Sequence, residues 1–226
     1  MGTKSFFHLV LLERSNRFLV LLISLVLFFA LYPLLEKFFL AELILNLFFM
    51  LILLSGVLVI AKTRKPLIIL STLAISIVTL RWIDYFNPID WLAIIGNSMN
   101  IVFWVYITVD ILKFILRQKI ITSELINAAL SVYFIIGLAW ASIYELLEFG
   151  RPGSFSLQDP EGAEQKLIFQ LWYFSMVTLT TLGYGDIAPV TMSARVFVVL
   201  EAIMGQFYLA VLIASLIGRR IAQDKT

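Results

Sequence analysis

Six stretches of the 226-residue chain are long, apolar and almost free of charge, near 18–35, 42–61, 66–83, 91–112, 123–144 and 194–218. A helix needs about 20 consecutive apolar residues to cross the hydrocarbon layer of a bilayer. Six such runs make lipid the main solvent of this chain. Charged residues are 14% of the sequence and hydrophobic residues 61%, against about 25% and 45–50% in soluble domains. The expected fold class is therefore all-α integral membrane, because only a helix or a closed barrel satisfies its backbone hydrogen bonds where water is absent.

Several chemistries drop out at once. With no Cys there is no disulfide, thiolate nucleophile or Cys-ligated metal, and His8, the single histidine, cannot build a metal site alone. A net charge of +2 gives no basic surplus for nucleic acid. No enzyme class is indicated.

The placement of charge orients the runs. If the N-terminus is cytoplasmic, the inner segments collect Lys4, Arg14, Arg17, Lys62, Arg64, Lys65, Lys113, Arg117, Lys119, Arg219, Arg220 and Lys225, which is twelve of the 17 Lys and Arg. The positive-inside rule then puts both termini in the cytoplasm of a multi-pass plasma-membrane protein. Phe6 to Leu12 is too short to cross and is broken by Glu13 and Arg14, so it reads as interfacial. Trp82, Tyr85, Trp91, Trp140 and Tyr144 fall near the outer ends of the spans, where amphipathic rings favour the headgroup layer.

A seventh run, 167–182, breaks this arithmetic if it crosses, since Arg219 and Arg220 would then lie outside. It reads as a re-entrant segment that enters and leaves on one face. Such backbone is tolerated only under protein cover or along a watery cavity. Residues 168–180 are long enough for about three helical turns, and they run into Thr181-Leu182-Gly183-Tyr184-Gly185-Asp186. Gly183 and Gly185 adopt positive φ at little cost, which lets successive carbonyls face one way. A line of carbonyl dipoles, approached from the negative C-terminal end of a short helix, is a site for a hard cation that sheds its water.

Thr180-Thr181-Leu182-Gly183-Tyr184-Gly185-Asp186 resembles the selectivity-filter signature of potassium channels. The likeness extends upstream through Tyr173 and downstream through Pro189-Val190-Thr191, Arg195 and Gly205. The chain is similar to prokaryotic potassium channels with six transmembrane helices and one pore loop. That resemblance implies K+ coordinated by the carbonyls of Thr181, Leu182, Gly183 and Tyr184 with the Thr181 hydroxyl, and Gly185 at the outer mouth. It implies supporting roles for Thr180, Asp186, Tyr173, Phe174 and Thr178. Leu182 stands where many relatives have Val, and Tyr173-Phe174 where a Trp pair is frequent. Val177 stands where some relatives carry a Glu bonded to the filter aspartate, so that restraint on Asp186 is expected to be missing. One loop supplies a quarter of a ring, so a homotetramer is expected.

The last run, 194–218, is expected to be the inner helix below the filter. Gly205 interrupts its bulky sequence, either as a point of bending or for close packing on the pore helix. By the resemblance and by helical spacing, Gln206, Leu209, Ile213 and Ile217 share a stripe facing the axis, with Ile221 beyond, where large aliphatics gate by dewetting. Glu201 lies about 12 Å along the helix from Ser193. A carboxyl at that depth needs a partner near the pore helix, around Thr178 or Tyr184, or a watery crevice.

The fourth run, Trp91 to Leu112, contains no Lys or Arg, so the steep voltage sensor of voltage-gated relatives is not expected. Lys113, Arg117 and Lys119 read as a cytoplasmic linker near anionic lipid. Eight residues follow Gly218, so a ligand is expected to act on the membrane region or through another protein. The organisation expected is a cytoplasmic segment 1–17, a four-helix peripheral domain 18–116 lacking gating arginines, and a pore domain 117–226 with the loop 167–186. The function expected is passive, potassium-selective conduction without steep voltage dependence, with itself and membrane lipids as partners. The alternatives are a weakly selective cation channel and a non-conducting channel subunit; a subunit of an active transporter would be expected to carry four filter loops.

Overall fold

The computed structural model describes residues 17–35, 41–60, 64–86, 90–157 and 164–223. The expected cytoplasmic segment up to residue 16, with Phe6 to Leu12, lies outside the described residues. Among the described residues seven helices follow in order: α1 Arg17–Leu35, α2 Ala41–Ile60, α3 Arg64–Phe86, α4 Asp90–Arg117, α5 Ser123–Gly150, α6 Glu164–Leu179 and α7 Met192–Gln223. Each apolar run of the sequence lies within one of them or overlaps all but its edge. Hydropathy marks the lipid-facing length, whereas a helix continues through polar residues of good propensity. Hence α4 runs on to Arg117 and α5 to Gly150.

By length and composition, α3, α4, α5 and α7 each hold a stretch able to cross a membrane: Lys65–Asp84, Trp91–Arg117, Ser123–Gly150 and Met192–Ile221. Helices α1 and α2 are apolar over shorter lengths, 17–31 and 43–59.

Helix α5 is the hub. Its start is fixed by Thr122, which has an extended backbone and whose side-chain oxygen accepts the Leu125 N–H, with Glu124 complementing the first turn. It packs against α1, α4, α6 and α7, and its buried face is rich in small residues, including Ala128, Ala129, Ser131, Gly137 and Ala141. Small side chains let helix backbones approach in a bundle that gains nothing from burying apolar groups away from lipid.

The peripheral helices and the second half of the chain share one continuous core. Phe28 and Phe29 of α1 lie 5.1 Å from Trp172 of α6, centroid to centroid. Arg17 bridges three elements. Its guanidinium donates to Glu124 at 2.9 Å and to the Val59 carbonyl at 3.3 Å, and sits over the rings of Phe18 and Phe114.

Two aromatic assignments need correction. Tyr144 is fully buried and Trp140 nearly so, so neither ring of α5 sits in a headgroup belt. Tyr144 is drawn inward by a hydrogen-bond partner on α7 and by the rings of Phe155 and Phe174.

Candidate functional site

The segment that carries the Thr-Leu-Gly-Tyr-Gly sequence leaves and returns at one place. Val190 N donates to Ser154 O at 2.8 Å, Ser156 N to Ala188 O at 2.9 Å, and Ala188 N to Ser156 Oγ at 2.9 Å. Phe155 and Pro189 form an antiparallel bridge. The preceding turn is held by Glu148, whose carboxylate accepts the Gly153 and Phe155 N–H groups at 2.6 and 3.1 Å. Between these anchors the chain makes the excursion of α6 and the strip 180–186. Helix α6 has 16 residues, about 24 Å, and the strip after it brings the chain back to Ser154 and Ser156. Thr191 then opens α7, its hydroxyl accepting the Ala194 N–H at 3.3 Å.

The end of α6 unwinds in a defined way. Thr181 N donates to Thr178 O at 3.0 Å and Leu182 N to Val177 O at 2.9 Å, while the Thr180 hydroxyl folds back on Met176 O at 2.7 Å. Beyond this point φ is positive at Thr181 (58°), Gly183 (57°) and Gly185 (80°), and not at Leu182 or Tyr184. Alternating the handedness of successive residues turns every other peptide plane over, which brings carbonyls to one side of the strand. No helix or sheet does this. Glycine takes the left-handed region freely, but a β-branched threonine there costs on the order of 1–2 kcal/mol. Thr181 is the only non-glycine residue with positive φ among the described residues, and strain of that kind persists where the surroundings over-determine it.

In the single chain, Thr180 to Asp186 is exposed along its length, with Leu182 54% and Tyr184 67% accessible. The support behind it is buried. Phe174 packs on Tyr144 and Phe155 at 5.5 Å each, and Thr178 lies half-buried in the last turn of α6. Tyr173 donates to Asp186 Oδ2 at 2.8 Å. Sequence reading expects no restraint on Asp186 from Val177, and a tyrosine four residues upstream supplies one.

Glu201 of α7 is fully buried. Its carboxyl is bonded to Tyr144 of α5 and Ser175 of α6, and Ser175 Oγ also lies 2.9 Å from Gly137 O. Of the two surroundings considered for this residue, the structure has partners, and they are Ser175 and Tyr144 in place of Thr178 or Tyr184. Sequence reasoning missed both. The only available signal is a polar residue in each apolar helix, which does not say which pair meets.

Gly205 abuts the end of α6. A Cβ there would lie 2.9 Å from Leu179 O and 3.2 Å from Leu179 Cα, which is a backbone obstacle. Below it, Gln206, Ile213 and Ile217 are exposed and Leu209 half-buried on one face of α7. Only 11% of the apolar window of this helix is buried, against 67% for α5, so most of the α7 surface has no partner within one chain.

Comparison with known proteins places this geometry. Residues 121–221 match the family model described as "Ion channel". The chain is also similar to Two-pore potassium channel 5 of Arabidopsis thaliana, 32% identical over 106 residues, which are 47% of this chain and 21% of that protein. Voltage-gated potassium channel Kch of Escherichia coli is 34% identical over 80 residues, 35% of this chain and 19% of its own. Inward rectifier potassium channel Kirbac3.1 of Paramagnetospirillum magnetotacticum is 34% identical over 89 residues, 39% of this chain and 25% of its own. The matched stretch thus spans a quarter or less of each of these relatives. No solved structure gives a match. The matched stretch runs from just before α5 through α7, so it contains the strip 180–186, its anchors and Glu201, and α1 to α4 lie outside it.

Proposed function

We propose that the chain is a subunit of a potassium-selective channel that conducts K+ passively across the plasma membrane. The observation that carries this reading is the alternation of backbone handedness from Thr181 to Gly185 at the C-terminal end of a short re-entrant helix. Carbonyls brought to one side replace the hydration shell of a monovalent cation, and the negative end of α6 faces the approaching ion. In this reading the carbonyls of Thr181, Leu182, Gly183 and Tyr184 and the Thr181 hydroxyl hold K+, while Gly185 closes the outer mouth. Thr180, Asp186, Tyr173, Phe174, Thr178 and Glu201 hold the strip in place.

A single exposed strip cannot surround an ion. Four copies around an axis complete the shell, and the largely unpartnered surface of α7 supports such an assembly. In the homotetramer, six helices per subunit cross the membrane with both termini cytoplasmic, residues 18–116 form the periphery and 117–226 the pore. Gln206, Leu209, Ile213 and Ile217 face the axis, Gly205 sits at the bend or the close contact above them, and the aliphatic ring closes the pore by dewetting.

The test is the reversal potential of the purified protein in planar bilayers with potassium on one side and sodium on the other. Reversal near the potassium Nernst value, lost in Gly183→Ser, is expected, because a serine at φ 57° is strained where glycine is not. Reversal near zero means a weakly selective pore. No current from a verified tetramer, under any applied voltage or pH, points to a non-conducting subunit.

A further inference from the structure

Helices α5, α6 and α7 are tied at one buried point. Glu201 of α7 is inaccessible to solvent, and so are Ser175 of α6 and Tyr144 of α5. Tyr144 donates to one carboxyl oxygen and Ser175 bonds to the other, while Ser175 Oγ also lies 2.9 Å from Gly137 O of α5. Three contacts need three hydrogens, and the two hydroxyls bring two. The set closes when the third sits on Glu201, which then donates to Ser175 while Ser175 donates to Gly137 O. No cation bonds to the carboxyl among the described residues. The titratable side chains near it on α5 are Tyr144 and Tyr133. Helix α6 brings the Ser175 hydroxyl, its Tyr173 being bonded to Asp186. On α7 the flanking titratable groups are Arg195, which donates to Pro189 O, and Tyr208, which donates to Ala129 O.

This tie bears on the strip through α6. Ser175 and Leu179 are one helical turn apart on α6, as Glu201 and Gly205 are on α7. Helix α7 therefore holds the end of α6 at two successive levels, by carboxyl on hydroxyl and by a bare glycine against Leu179 O. From that turn Val177 O and Thr178 O accept the N–H groups of Leu182 and Thr181, the first residues of the strip. We propose that Glu201 is a positioning residue whose proton sets conduction: with the acid, α6 is seated and the strip aligned, and with the carboxylate α6 shifts and the current falls. The inference rests on the reading of the strip as an ion path. A carboxylate at this place is a charge without a counterion in a set that lacks one hydrogen, and only water entry or separation of the helices relieves it. The seated arrangement thus binds one proton more than the shifted one. By linkage, seating is complete at low pH and is lost as the pH rises through the range where Glu201 ionises.

Potassium flux through the full chain in vesicles is measured at equal internal and external pH, from about pH 6 to about pH 9. Wild-type flux is expected to fall by roughly tenfold across that range. Glu201→Gln, whose amide keeps hydrogens that it cannot lose, is expected to lose this dependence, with a profile level to within about twofold. Ser175→Ala leaves the carboxyl and cuts its link to α6. It is expected to flatten the profile in the same way, and it serves if the glutamine variant does not assemble. Without any current, the infrared C=O band of a neutral carboxyl is expected in wild type at neutral pH, fading as the pH rises and missing from Glu201→Gln. Equal pH profiles in wild type and Glu201→Gln overturn the proposal, as does a level profile in wild type, a Ser175→Ala profile as steep as that of wild type, or wild type without the band. Reversal near zero, or no flux at every pH, counts instead against the reading of the strip, and the band then tests the proton by itself.

Discussion

Ser175 has one hydroxyl hydrogen and two acceptors within reach, Gly137 O and the Glu201 carboxyl, while the Tyr144 hydroxyl supplies the other Glu201 oxygen. With a carboxylate at 201 this set is one hydrogen short. A carboxylic acid or an amide there supplies it. Glu201→Gln is therefore expected to unfold within about 1 kcal/mol of wild type and to conduct normally, whereas Glu201→Val strands the Tyr144 hydroxyl, Ser175 keeping Gly137 O, and costs about 1–3 kcal/mol. Thermal unfolding in detergent, with potassium flux measured alongside, checks both; equal loss in the two variants would reject the hydrogen count. Tyr173→Phe removes the bond to Asp186, worth about 1 kcal/mol. Run-down of potassium current during sustained flux is expected to quicken by about fivefold, and a current as steady as that of wild type would show that the strip is held by other means.

Two glycines let α5, α6 and α7 close on one another, and the obstacles they avoid differ in kind. An added Cβ at Gly205 meets the backbone of Leu179, which cannot move without shifting the last turn of α6 and the strip that follows. At Gly137 the nearest atom is Met176 Sδ at 2.6 Å, the middle of a flexible side chain. Gly205→Ala is thus expected to cost about 1–3 kcal/mol and to impair conduction, and Gly137→Ala markedly less on both counts. Flux and thermal stability of the two variants side by side decide this, and equal behaviour would mean that α6 accommodates either. The sequence makes Gly205 conspicuous as a break among bulky residues but leaves bending and packing equally open. The contact with Leu179 is a property of two helices 26 residues apart in the chain, which no local pattern reports.

For the whole molecule, the charges carried by α1 to α4 bear on the voltage dependence expected of the proposed channel. Each unit charge crossing the field contributes about 2.3 kcal/mol per 100 mV, and α4 offers no Lys or Arg from Trp91 to Leu112. Arg81 of α3 donates to Asn46 at 3.0 Å and lies 4.4 Å from the centroid of Phe49, so it ties α3 to α2. A shallow conductance–voltage relation is expected, and Arg81→Gln is expected to lower stability with little effect on its slope. A steep relation that flattens in Arg81→Gln would assign the charge a sensing role.

The sequence by itself determined the solvent, the helices and the alternating strip 181–185, because each is a local property. Hydropathy over about 20 residues fixes which segments suit lipid, and the Thr-Leu-Gly-Tyr-Gly order fixes where the backbone can alternate in handedness. It placed α1 to α5 and α7 to within a few residues at their starts. Only the tertiary structure decided who meets whom. Glu201 finds Tyr144 and Ser175 and not Thr178, Tyr173 takes over the hold on Asp186, Tyr144 leaves the membrane surface for the core, and the Ser154–Ser156 segment pins the far end of the strip. These partners lie 13 to 57 residues apart for the side-chain pairs. Their meeting depends on the rotation and depth of whole helices, which the packing of small residues on α5 sets.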